Sequence, residues 1–276
     1  MGCLAVALVL LLAAGVGVFW WLRNRGLTEP VPGQQRCVAT ANNRSTVVDL
    51  DQAHFASIIA GVSVRRGLPP RAASIALATA YQETGIRNLN YGDLDSVGLF
   101  QQRPSAGWGT KQQVMNPYYA TGKFYDALVK IKGWETADIN DVAQQVQRSG
   151  YPEAYRDHEA DARVLASALT GHSPSGFSCL DRSGTSGDVK ALRSALQRTF
   201  GNVDDFAKGS VITIRARSEK RAWAYAHYAV ANAKFYGVTT VKVGNQLWVT
   251  QDLNLPDWQE EASPKLKAGR VEITVR

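Results

Sequence analysis

The longest apolar run lies at the start of the chain. Leu4 to Leu22, "LAVALVLLLAAGVGVFWWL", is 19 residues without a charge, roughly 29 Å of helix and close to the hydrocarbon thickness of a bilayer. Trp20 and Trp21 suit its interfacial end. It is long for a signal-peptide core and no A-x-A site follows at a sensible distance, so residues 1–25 read as an uncleaved single-pass anchor. Residues 26–48 begin "GLTEPVPGQQ" and read as a spacer. Asp49 to Val62 predicts a helix, with Asp49 or Asp51 as N-cap and Phe55, Ile58, Ile59 and Val62 on one face. "RRGLPP" ends it. Pro69 and Pro70 suit the first turn of a second helix that runs to about Glu83 and stops at Gly85.

Between Ala72 and Tyr81 only Ser74 and Thr79 are polar, so this second helix is predicted to cross the middle of its domain. Helices are also predicted over 117–130, 139–148 and 152–169. The intervening "NLNYGDLDSVGLFQQRPSAGWGT" reads as a loop with a small hairpin. Residues 171–187, rich in glycine and serine, read as a linker. Beyond it, a helix over 189–200, strands near 210–216, 239–250 and 271–275, and a long helix from Ser218 to Tyr236 make a small α/β unit. The expected architecture is a mainly α domain with a small hairpin over 49–170, followed by an α/β accessory domain over 188–276.

Composition narrows the chemistry. Cys3, Cys37 and Cys179 show no C-x-x-C spacing, and His54, His158, His172 and His227 are scattered, so neither a metal site nor a dithiol redox centre is expected. The net charge of +7 comes without a nucleic-acid motif, so nucleic acid is not an expected partner. From Lys208 to Arg276 there are eleven basic and six acidic residues, suited to an anionic polymer or lipid surface, or simply a solvated face. Topology signals conflict. Arg23 and Arg25 follow the apolar run, which by the positive-inside rule leaves the body in the cytoplasm. Cys37 and Cys179 bracket one segment and either close it with a disulfide, which needs an oxidising compartment, or are two unrelated thiols. The reading adopted is a membrane-anchored body outside the cytoplasm.

One acid stands out. Glu83 ends a run of small apolar residues in "ATAYQETG" with no basic neighbour. Partial desolvation and the negative end of the helix dipole both favour its protonated form. A carboxylic acid that keeps its proton is what cleavage of a glycosidic bond needs at the leaving oxygen. A glutamate facing water in the last helical turn is the plainer alternative.

Fifteen residues further on comes "GLFQQ", Gly98 to Gln102. Q-E-[ST]-G followed at this distance by G-L-[MF]-Q resembles the soluble lytic transglycosylases and goose-type lysozymes, and the run from Ala76 to Thr110 is most similar to lysozyme-like wall proteins of actinobacteria. The resemblance spans about 49–169. It implies a lysozyme-like fold, no cofactor, Glu83 as catalytic acid, and the second motif as floor and wall of a sugar cleft in peptidoglycan cleavage. On that reading Gly98 lets a sugar or the catalytic side chain come close, Leu99 and Phe100 alternate between core and cleft, and Gln101 bonds N-acetyl and hydroxyl groups. Asp93 matches an aspartate of the goose-type pattern and either activates water or caps a turn; Asp95 lies nearby. The later A-Y-N motif of the transglycosylases is missing, with Tyr151 and Tyr155 of "SGYPEAY" in a comparable place, either as sugar contacts or as helix packing. Trp108, in the loop "AGWGT", either stacks on a sugar or packs. Hydrolase and lyase outcomes both remain open, as does a non-catalytic scaffold with the same fold.

Overall fold

The computed structural model describes residues 33–147, 153–261 and 266–276. The predicted anchor at Leu4 to Leu22 lies outside them. Among the described residues no helix is long and apolar enough to cross a membrane.

The first described elements correct the predicted spacer. Residues 36–48 form a hairpin, strands β1 (Arg36–Ala41) and β2 (Arg44–Val48). Asn42 and Asn43 turn it, with φ of 50° and 60°, the left-handed pair that a two-residue hairpin turn requires and that asparagine tolerates. The predicted linker also contains a strand, β3 (Phe177–Leu180), which pairs antiparallel with β1 in the order β2-β1-β3. Cys37 and Cys179 face each other in that register and are joined by a disulfide.

Helix α1 (Leu50–Arg65) starts at a capping box. The Asp49 carboxylate accepts from the Gln52 N–H at 2.8 Å, and the Gln52 side chain accepts from the Asp49 N–H at 2.9 Å. Ile58, Ile59 and Val62 are buried and Phe55 half-buried. Helix α2 (Pro70–Thr84) has proline at its first position and a left-handed Gly85 after its last, as its sequence predicts. Every residue from Ala72 to Ala80 is buried, so α2 is the central rod that α1, α4 (Pro117–Leu128), α5 (Ile139–Gln147) and α6 (Glu159–Leu169) surround. A short α3 (Lys111–Val114) and 3-10 turns at Pro104–Ala106 and Ala154–His158 complete this part.

After α7 (Val189–Phe200) comes an antiparallel sheet in the order β4-β5-β9-β6-β7-β8. Its strands are β4 (Asp204–Lys208), β5 (Val211–Arg215), β6 (Val238–Val243), β7 (Gln246–Val249), β8 (Gln259–Glu260) and β9 (Arg270–Val275). The long helix predicted from Ser218 to Tyr236 is broken at Asn232 into α8 (Glu219–Ala231) and α9 (Ala233–Tyr236). The Asn232 side chain donates to the Tyr228 carbonyl at 2.7 Å and to the Ser57 hydroxyl at 3.0 Å, drawing the backbone out of helix.

Residues 171–187 do not separate two compact units. Gln35 to Arg276 cluster as one, because α1 packs on both α7 and α8 and a single hydrophobic core runs through both predicted domains. The contact is close enough to select a glycine: a Cβ on Gly61 would lie 2.2 Å from Thr199 Cγ2 of α7. Over the described residues the protein is mixed α/β, with 44% helix and 20% strand.

Candidate active site

Glu83 sits in the last turn of α2, partly buried. Its Oε1 accepts a hydrogen bond from the Tyr155 hydroxyl at 2.8 Å and one from Gln147 Nε2 at 3.2 Å. Among the described residues no group bonds Oε2. Gln147 Nε2 also donates to the Phe100 carbonyl at 2.7 Å. The Thr84 hydroxyl lies 3.0 Å from both the Ala80 and Leu99 carbonyls. The end of α2 is thereby fastened to the backbone of "GLF" at two successive carbonyls.

Within that motif the side chains do something different from what the sequence suggests. Gly98 has φ +82°, and a Cβ there would stand 2.7 Å from the Val114 carbonyl oxygen, so the backbone here is approached closely by α3. Leu99 and Phe100 are both fully buried, Phe100 stacking on Phe124 at 4.7 Å, so they do not alternate between core and cleft. Consecutive residues can both point inward because 97–102 is a turn with two isolated bridges, Leu89 to Gly98 and Val97 to Gln102, rather than a regular strand. Gln101 adopts φ 47° and its Nε2 donates to the Tyr91 and Gly98 carbonyls at 3.2 and 3.4 Å. Its amide fastens the loop over Gly92, where a Cβ would overlap Gln101 Oε1 at 1.8 Å.

The two aspartates diverge. Asp93 is exposed in a turn and its carboxylate has no partner among the described residues. Asp95 accepts from the Ser105 N–H at 2.7 Å, from Arg103 Nε at 3.0 Å and from the Ser105 hydroxyl at 2.8 Å. These bonds, the Ser105 N–H first, lower its pKa to about 2. Asp95 is a permanent anion that pins the loop.

A groove of about 670 Å³ opens beside this arrangement. Gln101, Gln102, Trp108, Lys130, Gln145 and Gln147 are among its walls. Glu83 is not in the lining; Gln147 is what connects it to the groove. Gln102 is buried, its Nε2 donating to the Ala120 carbonyl at 3.2 Å while its Oε1 has no partner among the described residues. Trp108 is half-buried, packing on the core with one part and facing the groove with another.

No family model and no curated protein matches this sequence.

Of the predicted site residues, Glu83 and Tyr155 are in direct contact, and the backbone of Leu99 and Phe100 reaches them through Thr84 and Gln147. Tyr155 is fully buried and holds the acid; it cannot stack on a ligand. Tyr151 lies outside the described residues. Sequence reasoning missed Gln147, which is one glutamine among several in "DVAQQVQ", and His158, whose ring stacks on Tyr81 at 4.7 Å with Nε2 3.0 Å from Gln82 Oε1. Burial lowers the pKa of His158, so it stands beside Glu83's helix as a neutral ring at pH 7. Among the described residues no group of three or more His, Cys, Asp or Glu side chains is placed to hold a metal ion.

Proposed function

We propose that the chain cleaves the β-1,4 bond between MurNAc and GlcNAc in peptidoglycan, with Glu83 as general acid and then base. The observation that carries this reading is the fixing of Oε1 by Tyr155 and Gln147 while Oε2 has no partner among the described residues, next to a groove rich in amide groups. A proton on Oε2 passes to the glycosidic oxygen as the bond to the anomeric carbon breaks. Positive charge develops on the sugar ring, and the new Glu83 carboxylate lies ready to accept a proton in the second step. Glutamine amides suit acetamido and hydroxyl groups, and Trp108 offers an apolar face to a pyranose.

Two routes complete the reaction: the Glu83 carboxylate removes a proton from the sugar's own C6 hydroxyl, or a second carboxylate activates water across the ring. The internal route needs one carboxylate only. With Asp95 committed to its loop, Asp93 is the remaining candidate for activating water. Mass spectrometry of released fragments separates the routes by anhydro or reducing ends. The disulfide supports a body in an oxidising compartment, in keeping with an anchor at Leu4 to Leu22 that holds the body outside the cytoplasm.

Glu83→Gln is expected to abolish muropeptide release from purified sacculi while retaining sacculus binding. Equal release by both proteins overturns the mechanism. Wild-type protein that binds sacculi and releases nothing favours the non-catalytic scaffold.

A further inference from the structure

A second cavity, of about 430 Å³, is walled by the β1–β2 turn, the Ala154–His158 turn and α6. Three separate elements each contribute a guanidinium: Arg44 from β2, Arg156 from the 3-10 turn and Arg163 from α6, with Glu159 the one acid in the lining. Arg163 pairs with Glu159 at 2.7 Å, and Arg156 with Asp138 at 3.2 Å and Glu153 at 3.3 Å, neither of which lines the cavity. These half-exposed pairs add little stability, but they hold two planar forks in place while leaving further N–H groups to donate.

Arg44 is exposed and makes no ion pair among the described residues. It closes the tight Asn42–Asn43 turn opposite Ala41, and the hydroxyls of its neighbours Ser45 and Thr40 lie 2.9 Å apart. The remaining lining includes Ala41, Ala160 and Val164, so the forks stand around a partly apolar hollow. Guanidinium forks match the paired oxygens of carboxylates and phosphates. Glu159 repels a doubly charged group more strongly than a singly charged one. Arg156 directly follows Tyr155, whose hydroxyl holds Glu83, so the cavity and the acid share one short turn.

We propose that this cavity binds a carboxylate of the peptide stem that a peptidoglycan strand carries next to the bond to be cut. The inference rests on the proposed function for its substrate, but not on turnover for its test.

The free stem tetrapeptide, which contains no glycosidic bond, is titrated calorimetrically into the full chain in detergent at low salt. Two further ligands are the same peptide with its carboxylates amidated and an oligomer of glycerol phosphate. The free peptide is expected to bind, and amidation, Arg44→Ala and Arg163→Gln are each expected to weaken binding by about ten-fold or more. Equal binding of free and amidated peptide, or no binding of either, overturns the proposal. So does glycerol phosphate binding as tightly as the peptide, which would assign the cavity to a phosphodiester polymer. Arg44→Lys, expected to recover part of the loss, shows that charge and not folding is being read. An inactive Glu83 would leave this result untouched.

Discussion

His227 of α8 is fully buried where the two halves of the fold meet, ringed by Phe177, Trp223 and Trp258 at centroid distances of 6.1, 5.3 and 5.8 Å. Its Nδ1 lies 2.8 Å from the Ala168 carbonyl and must donate there, leaving Nε2 buried with a bare lone pair and no partner among the described residues. Burial lowers its pKa from 6.5 to about 4, against a smaller upward pull from the Ala168 carbonyl. Above pH 6.5 the ring is neutral folded and unfolded, and its contribution does not change with pH. Between 6.5 and about 4 the unfolded chain takes a proton that the folded chain refuses, so stability falls as pH falls. The loss levels off below about 4, at about 3 kcal/mol. Asparagine at this position can place an N–H near the Nδ1 site but does not titrate. Urea unfolding of wild type and His227→Asn from pH 7 to 4 should therefore give curves that converge on acidification, with about 2 kcal/mol of the wild-type advantage gone by pH 5. Subtracting the variant removes the shared contributions of His54, His158, His172 and the carboxylates. Parallel curves over the whole range would refute the buried, singly bonded imidazole.

Two further predictions bear on the site and its frame. Tyr155→Phe keeps the buried ring and removes only the hydroxyl that bonds Glu83, a contact to an ionisable group worth about 1.5–3 kcal/mol; initial rates of muropeptide release should drop about 10- to 100-fold with an unchanged circular dichroism spectrum, and an unchanged rate would show that the hydroxyl does not position the acid. Cys37→Ala with Cys179→Ala removes a link between residues 142 apart, for which the chain-entropy treatment gives up to about 5 kcal/mol of stability; a urea midpoint equal to that of wild type would show the bridge to be energetically idle.

Elements that carry their own start and stop were legible from the chain. Asp49 with Gln52 opens α1, while Pro70 and Gly85 bound α2, and the structure places both helices within a few residues of the predicted ends. The hairpin was hidden because its signal, an Asn-Asn pair between β-branched runs, follows a polar proline-rich stretch that sets the expectation of a spacer. β3 was hidden for another reason: its four residues become a strand by pairing with β1, some 140 positions earlier in the chain, and no local pattern encodes a partner that far away. At the site, an acid after an apolar helix pointed to Glu83, but the residues that orient it could not be ranked. Gln147 and Tyr155 differ from other glutamines and tyrosines only in where the packing of α5 and the 154–158 turn delivers them. Leu99 and Phe100 show the converse, since strand alternation fails in a turn whose backbone, rather than its side chains, faces the acid.

The covalent bond between β1 and β3 also decides where tension travels. A pull between the N-terminal segment and the C-terminal sheet would pass from residue 37 to residue 179 through sulfur, bypassing everything between. Glu83, Gln147, Tyr155 and the groove all lie in that bypassed stretch. A protein held at one end and loaded at the other could thus keep its site slack while its outer parts bear the strain.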